Sequence, residues 1–443
     1  MHNPIADNHN LLRNKQMRSS EHYQAKFRQI APQTLFQHLP ESRRGFLRQQ
    51  AIRYRFTLQE LRLVTEIALD LEMWQQGDIA SHWPDMAAKA PDKNQKRQLL
   101  NKLRQNWSEL RSAPNRYAPA AGPGLGPQIE PITRSKEKLG LGFCPVASPK
   151  TRCCNLLTLD AVENCGYGCT YCSIQSFFTG KQVVFDRDFK DKLAALPIDP
   201  DRTYHIGTGQ SSDSLMWGNS HGVLDALIDF AHHHPNVILE LKTKSANISH
   251  LLKQDIPANL ICSWSLNPPV IIANEEYATA SLEQRLDAAR RLADQGVVVG
   301  FHFHPMIHYQ DWEADYGAIF TRLQEQFQSW EVALVSIGTL TYTKSVMRSI
   351  RESRLNSQIL KMPLVEADGK LSYPDEVKLE LFRHAYNSFS PSWKSEVFFY
   401  LCMENKRFWE PVFGFDYESN EAFEQAMKSS YLSTIDRRRV PAA

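Results

Sequence analysis

Long apolar segments and cysteines are both scarce in this sequence, and each scarcity excludes one class of protein as an interpretation. No apolar run approaches the roughly 20 residues that span a bilayer, and residues 1–15 lack the uninterrupted apolar stretch of a secretory signal. Eight cysteines among 443 residues are too few for a disulfide scaffold. We therefore expect a cytoplasmic protein with no membrane partner, whose cysteines are metal ligands or reactive thiols.

Charge and composition predict four segments along the chain. Residues 1–140 hold 22 lysines and arginines against 13 aspartates and glutamates, whereas the rest of the chain holds 29 against 36. Apolar residues at helical spacing predict a basic helical region over residues 1–112, and a run rich in proline and glycine predicts a linker over 113–140. We expect a β/α domain over 141–345 and a C-terminal extension over 346–443. The N-terminal basic residues either contact nucleic-acid phosphates or form a solvated helical face.

Short apolar runs alternate with stretches of helical pattern beyond the linker. The predicted strands are Leu156–Val162, Thr203–Gly209, Val237–Thr243, Leu260–Asn267, Val297–His304 and Val332–Leu340. The predicted helices between them are Gly222–His233, Leu282–Gln295 and Trp312–Phe327. This alternation predicts an α/β fold with a parallel sheet, either doubly wound or an incomplete barrel. In both architectures, ligands bind at the carboxyl ends of the strands.

Three cysteines follow the first predicted strand at a C-x3-C-x2-C spacing. They are Cys165, Cys169 and Cys172, and Gly166 and Gly168 permit the curled backbone that three converging thiolates need. Four-iron clusters ordinarily take four cysteines, so three ligands would leave one iron open, as in catalytic metal sites. The alternative is a zinc knuckle or an electron-transfer cluster that Cys153 or Cys154 completes.

With an aromatic residue before its third cysteine, this motif resembles that of the radical S-adenosylmethionine (SAM) superfamily. The resemblance implies a partial (β/α)6 barrel, here with an N-terminal helical region and a C-terminal α+β extension. It implies that Cys165, Cys169 and Cys172 hold a 4Fe-4S cluster whose open iron binds SAM. Reductive cleavage of SAM would then give a 5′-deoxyadenosyl radical that takes a hydrogen atom from the substrate. An electron donor such as flavodoxin or ferredoxin is also implied.

From Cys144 to Leu340 the sequence resembles the spore photoproduct lyase family of DNA repair enzymes. The resembling segments are Phe143-Cys144-Pro145, Cys153-Cys154, Cys169–Gln175, Ser211-Ser212-Asp213, Thr243-Lys244, Trp264–Asn267, Arg285–Ala289, Gly300-Phe301 and His304-Pro305. By that resemblance, the residues that contact SAM are Tyr171, Ser212, Lys244, Ser265 and the backbone around His304. The last four also lie at or just beyond predicted strand ends. A surface lysine and a hydroxyl that bonds its own turn are the structural alternatives for Lys244 and Ser265.

Two positions depart from the family pattern. Gln210 and Ser173 stand where the characterised lyases use a cysteine and a tyrosine to return a hydrogen atom, and neither residue donates one readily. Three hypotheses remain: repair of a thymine lesion in DNA, radical modification of RNA, a peptide or a small metabolite, and a non-catalytic iron-sulfur protein that binds nucleic acid. Cys402 is a possible substitute thiol, and Cys144, Cys153 and Cys154 are left between a structural metal, burial and redox work.

Overall fold

The computed structural model describes residues 21–84, 92–112, 115–119, 126, 129–144, 150–175, 178, 182–209, 211–367 and 369–439. Its chain contacts separate into two compact units. One unit takes residues 1–114 together with 347–363, and the other takes 115–346 together with 364–443. None of the described helices combines the length and the apolarity needed to cross a bilayer.

The helices fall both before and after the predicted linker. Residues 21–30 are helical, and the numbered helices follow them. In chain order they are α1 Glu41–Tyr54, α2 Leu58–Met73, α3 Lys93–Ser112, α4 Phe189–Ala194, α5 Val223–His233, α6 Pro269–Glu275, α7 Leu282–Asp294, α8 Trp312–Gln326, α9 Lys344–Ser353, α10 Asp375–Asn387, α11 Pro391–Glu396, α12 Trp409–Phe413 and α13 Asn420–Arg439. The predicted helices at 222–233, 282–295 and 312–327 are therefore present, within one residue at each end.

Within the described residues, the strands all lie after residue 129. In chain order they are β1 Glu130–Arg134, β2 Gly140–Phe143, β3 Leu157–Asp160, β4 Val162–Glu163, β5 Gly168–Cys169, β6 Gln182–Asp186, β7 Tyr204–Thr208, β8 Val237–Thr243, β9 Leu260–Ser265, β10 Glu276–Tyr277, β11 Val298–Met306, β12 Val332–Thr339, β13 Thr341–Tyr342, β14 Val365–Ala367, β15 Lys370–Ser372 and β16 Phe398–Leu401. Each of the six predicted strands is present, although the first is broken into β3 and β4.

The larger unit is built on a curled sheet of eight strands in the order β16-β12-β11-β9-β8-β7-β3-β2. Every neighbouring pair is parallel except β2 and β3, which are antiparallel. The predicted α/β class and the partial barrel are thus confirmed. Because the central strands are parallel, their carboxyl ends share one edge, which is where this architecture places its ligands.

Local sequence signals fix the ends of the helices that cover this sheet. Ser281 caps α7 in a capping box, since its hydroxyl accepts from the Gln284 N–H at 3.3 Å and its own N–H donates to the Gln284 side chain at 2.9 Å. Gly296 follows that helix at φ +89°, a conformation that glycine adopts without strain. The helix is therefore delimited by its own residues before any packing is considered.

Polar side chains face one another across the inner surface of the sheet. Glu240 of β8 accepts hydrogen bonds from His205 Nε2 at 2.9 Å and His302 Nε2 at 2.8 Å. The Ser263 hydroxyl donates to the same carboxylate at 2.6 Å. Burial lowers the pKa of His302 to about 4, so this ring is neutral at physiological pH. His302 is therefore occupied as a partner of Glu240, and the inner surface is polar well below the strand ends.

The smaller unit is a helical core with one buried ion pair. Asp70 lies on α2 with no exposed surface, and the Arg351 guanidinium donates to its two oxygens at 2.7 and 2.9 Å. The indole N–H of Trp107 donates to the same carboxylate at 3.1 Å. Residues 347–363 thus complete a unit that otherwise consists of N-terminal residues. The domain boundaries at 112, 140 and 345 stay predictions.

Candidate functional site

The cysteine motif lies in a loop between β4 and β6 that is fastened to a distant segment. Two residues of the loop form β5, which pairs antiparallel with β10 so that Cys169 lies opposite Glu276. The Thr170 N–H donates to the Glu275 carbonyl at 2.9 Å, and the Cys172 N–H donates back to the Cys169 carbonyl at 3.1 Å. The loop is therefore curled, and its position is fixed by residues about a hundred positions later in the chain.

Gly166 lies at a close contact inside this loop. A Cβ atom added to it would lie 2.1 Å from the Met216 Cε atom and 3.1 Å from the Trp217 ring, so the Met216 side chain would have to move. The loop between the first and second cysteines therefore packs directly against the segment that follows β7. The positive φ expected for Gly166 and Gly168 is absent, so at Gly166 the small residue serves close packing instead.

The three thiols share one electrostatic environment. Burial raises the pKa of Cys165 to about 12, and it raises the pKa values of Cys169 and Cys172 as well. The charge of Lys244 opposes the shift at all three sulfur atoms, and Cys169 is also raised by the other two cysteines. Over the described ranges, no three His, Cys, Asp or Glu side chains form a metal-binding group. The three thiols therefore all lie near Lys244, but they do not form a ready-made metal site.

Lys244 follows β8 directly and faces the cysteine loop. Its Nζ atom lies 5.8 Å from the centroid of the Tyr171 ring, within the range of a cation–π contact. Burial lowers the pKa of Lys244, but the Cys169 and Glu276 charges raise it further, so the ammonium is retained. Among the residues that the structure describes, Lys244 has no salt bridge shorter than 4 Å. Its charge is thus available to an anionic ligand.

Ser212 and Asp213 occupy the turn after β7, and their side chains differ in hydrogen bonding. Asp213 accepts from the Thr243 hydroxyl at 2.7 Å and the Lys244 N–H at 2.6 Å, and it also accepts two N–H groups of its own turn. The Ser212 hydroxyl is buried and, within the described part of the chain, has no hydrogen-bond partner. A buried polar atom without a partner costs free energy, so this hydroxyl is suited to an external ligand.

Tyr171 is held by a buried polar network. Its hydroxyl donates to Glu276, which also accepts from Asn267 Nδ2 at 2.9 Å. Arg285 donates to the other oxygen of Glu276 and has no exposed surface. Because the hydroxyl of Tyr171 is bonded to Glu276, the part of Tyr171 that faces Lys244 is the ring. Sequence reasoning missed Glu276 altogether, and it assigned no role to Arg285.

Ser265 and His304 lie at the ends of β9 and β11. The Ser265 carbonyl accepts from Arg285 Nη1 at 2.7 Å, so the Tyr171 network also fixes the end of β9. The ring of His304 packs on β12, where a Cβ atom added to Gly338 would lie 2.7 Å from its Cδ2 atom. Burial lowers the pKa of His304 to about 3. All four predicted strand-end residues therefore lie at the shared edge, whereas Ser173 is in the cysteine loop and Gln210 lies outside the described residues.

One signal in the sequence pointed to the missed arginine. Arg285 interrupts the apolar face of α7, between the buried residues Leu282 and Ala289. A charged residue on a buried helix face needs a buried partner of opposite charge. No comparable signal marks Glu276, because β10 is only two residues long.

Comparison with known proteins shows what the chain resembles. Residues 164–370 match the model of the spore photoproduct lyase family. Spore photoproduct lyase of Clostridium acetobutylicum is 25% identical over 221 residues, which is 48% of this chain and 64% of that enzyme. The Bacillus subtilis (strain 168) enzyme is 31% identical over 85 residues, 19% of this chain and 25% of its own. The chain thus spans less than two thirds of the length of these relatives.

Solved structures of spore photoproduct lyase show the same fold. The complex with dinucleoside spore photoproduct is matched with a TM-score of 0.50 at 20% identity, over 61% of this chain and 82% of that one. A mutant with bound SAM and dinucleoside spore photoproduct is matched with the same TM-score at 19% identity and the same coverage. At these identities the likeness concerns the arrangement of the chain.

Proposed function

Because residues 164–370 belong to the spore photoproduct lyase family, we propose that this protein is a radical SAM enzyme that takes a hydrogen atom from a base of a nucleic acid. The observation that carries the proposal is the buried, unpartnered hydroxyl of Ser212 beside a lysine whose charge faces the cysteine loop. Each group alone has a structural explanation. Together at one strand edge, they form a site for a ligand that accepts a hydrogen bond and carries a negative charge.

Cys165, Cys169 and Cys172 are the residues that would hold a 4Fe-4S cluster. They suit that role because they lie in one curled loop, all three are half-buried, Lys244 lowers the pKa of each thiol, and metal binding deprotonates thiols whose pKa is otherwise high. When bound, the cluster supplies the electron that cleaves SAM and so creates a radical. The protein holds the loop in place through the pairing of β5 with β10.

The chain's own residues would bind SAM in distinct ways. Lys244 would pair with the carboxylate of SAM. The centroid of the Tyr171 ring lies 5.8 Å from the Lys244 ammonium group, and this cation–π contact helps to hold the charge in the site. The Ser212 hydroxyl would gain its missing partner. We assign Ser265 and the backbone around His304 to the opposite wall of the site, since both end strands at the same edge.

We assign the substrate to DNA, and a thymine lesion is the first candidate. Spore photoproduct lyase structures contain a dinucleoside spore photoproduct, and the basic excess of residues 1–140 suits a polyanion. RNA is the second nucleic acid to test, and a peptide or metabolite would need no such charge. A flavodoxin or ferredoxin would supply the electron in the cytoplasm. Because Ser173 and Gln210 replace the family's hydrogen-returning residues, the lesion is the part of the proposal that most needs an experiment.

A turnover assay with a defined lesion tests the proposal. The protein is reconstituted anaerobically with iron and sulfide, reduced with dithionite, and mixed with SAM and dinucleoside spore photoproduct. We expect formation of 5′-deoxyadenosine together with release of the repaired thymine dinucleoside. Formation of 5′-deoxyadenosine with an unchanged lesion would defeat the repair reaction and favour another substrate. Iron incorporation without any cleavage of SAM would favour a non-catalytic iron-sulfur protein.

Replacement of Ser212 with alanine separates a ligand contact from a structural one. Because the Ser212 hydroxyl has no partner among the residues that the structure describes, we expect S212A to be as stable as the unaltered protein or up to about 1 kcal/mol more stable. Its affinity for SAM should fall by about 2- to 12-fold, which corresponds to one hydrogen bond. Thermal unfolding and equilibrium binding of SAM measure the two effects.

The neighbouring serine provides the matched control. The Ser211 hydroxyl donates to the Val162 carbonyl at 3.0 Å, so S211A should lose about 0.5–1.5 kcal/mol of stability and keep its affinity for SAM. A loss of stability in S212A with unchanged SAM affinity would remove Ser212 from the binding site.

A further inference from the structure

A second lysine, Lys242, lies on the inner surface of the curled sheet, two residues before Lys244. Residues two apart on a strand share a face of the sheet. On β8, Glu240 accepts hydrogen bonds from His205 and His302 across the inner surface. Lys242 therefore lies on that surface as well, and its Cα atom is roughly 6.6 Å from that of Lys244. The interior of the sheet thus receives two lysines from one strand.

Lys242 is open to the inside of the sheet. It is the one residue of β8 that is not buried, and Leu239 and Leu241 on the opposite face have no exposed surface. Its neighbours on the adjacent strands are small. Lys242 is level with Ser263 of β9, and a Cβ atom added to Gly209 after β7 would lie 2.6 Å from the Lys242 carbonyl oxygen. No bulky side chain at these two positions covers the lysine.

The ammonium group of Lys242 has no ion-pair partner in the part of the chain that the structure describes. It forms no salt bridge or hydrogen bond there, and the Glu240 carboxylate is already bonded to two histidines and a serine. Burial lowers the pKa of Lys242, and the charges of nearby thiols and of Glu240 oppose this shift without reversing it. A partly buried cation without a partner is suited to an anionic ligand.

We propose that Lys242 binds the phosphodiester group that joins the two nucleosides of the substrate. This inference rests on the proposed function, in which Lys244 pairs with the carboxylate of SAM and a DNA lesion lies beside it. SAM has one carboxylate, so it supplies an anion to one of the two lysines. The bases of a thymine lesion are uncharged, and the linking phosphate is the anion that is left for Lys242. The lysine would thereby hold the lesion next to SAM.

Two forms of one lesion test this contact. Isothermal titration calorimetry measures the binding of dinucleoside spore photoproduct and of the dinucleotide form that contains the phosphodiester. The protein carries its reconstituted cluster and SAM but receives no reductant, so that no turnover occurs. We expect the dinucleotide to bind about 10- to 150-fold more tightly than the dinucleoside, which corresponds to one hydrogen bond between charged groups.

Two substitutions at Lys242 assign that preference to its charge. K242M removes the charge and keeps an unbranched side chain, so we expect its preference for the dinucleotide to be lost and its affinity for the dinucleoside to stay unchanged. K242R keeps a cation and should retain most of the preference.

Thermal unfolding without ligand separates a binding role from a structural one. Because Lys242 has no partner to lose, K242M should unfold at the same temperature as the unaltered protein or at a higher one. Lys378 provides the matched control, since its buried ammonium group donates to the buried Glu404 carboxylate at 2.6 Å. K378M leaves that carboxylate without its cation and should unfold at a lower temperature.

The outcomes distinguish the contact from the reaction. Equal affinity of the unaltered protein for the two forms, an unchanged preference in K242M, failure of both forms to bind, or a K242M variant as unstable as K378M would each overturn the role of Lys242. Binding with the expected preference, followed by no repair once reductant is added, would defeat the repair reaction and leave the phosphate contact in place.

Discussion

Replacement of Cys169 with alanine is expected to abolish cleavage of SAM, and the same result is expected for Cys165 and Cys172. Each change removes one of the three sulfur ligands that we propose for the cluster, and the loop holds no other cysteine to replace it. Partial burial raises the pKa values of the remaining two thiols, so without metal they return to the protonated form. Iron content, the visible absorption of the reconstituted protein and the yield of 5′-deoxyadenosine measure the loss.

Cys262 provides the control for these variants. It is fully buried on β9 and lies outside the cysteine loop, so C262A should cost stability through the small cavity that it creates while iron content per folded protein stays unchanged. Retention of iron and of SAM cleavage in all three loop variants would show that the loop does not hold the cluster. Equal loss of iron in C262A would show that the assay reports unfolding.

Replacement of Arg285 with methionine is expected to destabilise the larger unit by about 3–5 kcal/mol. The guanidinium donates to the Glu276 carboxylate, to the Ser265 carbonyl at 2.7 Å and to the Ala280 carbonyl at 2.9 Å. Neither Arg285 nor Glu276 has any exposed surface. Without the arginine, a buried carboxylate loses its counter-charge and two carbonyl groups lose their donors. Chemical denaturation, followed by circular dichroism, measures the change.

Two further variants give this prediction its internal comparison. Arg322 forms a two-point contact with Glu283 at the surface, so R322M should cost at most about 1 kcal/mol. In R285M/E276Q the buried charge is also removed, and we expect part of the lost stability to return. An R285M variant as stable as R322M would mean that the buried pair contributes nothing beyond a surface pair.

The strands of the larger unit were predictable because they are buried on both faces. All eight residues of β12 are buried, which is the continuous apolar pattern of a central parallel strand. This apolar pattern does not predict β2, because its four residues include two glycines and are partly or fully exposed. It also fails for β5 and β10, which are two residues each and exist only because they pair with one another.

The same distinction explains which site residues could be foreseen. Ser212 and Lys244 follow the ends of β7 and β8, and a strand end places a residue without any knowledge of its neighbours. Glu276 and Tyr171 come together from loops about a hundred residues apart, and no local pattern encodes that contact. The expectation that Tyr171 contacts SAM stays a prediction, and since its hydroxyl is bonded to Glu276, the ring is the part that could make the contact.

The ion pair between Asp70 and Arg351 has a consequence for the order of events during synthesis. Its two residues are 281 positions apart, and a ribosome that adds roughly 5–20 residues per second needs about 15–60 s to travel between them. During that interval the helix that carries Asp70 has been made, whereas Arg351, the ion-pair partner of Asp70, has not. The smaller unit is therefore among the last parts of the protein to be completed. Chaperones that shield apolar surface have correspondingly long to act on it.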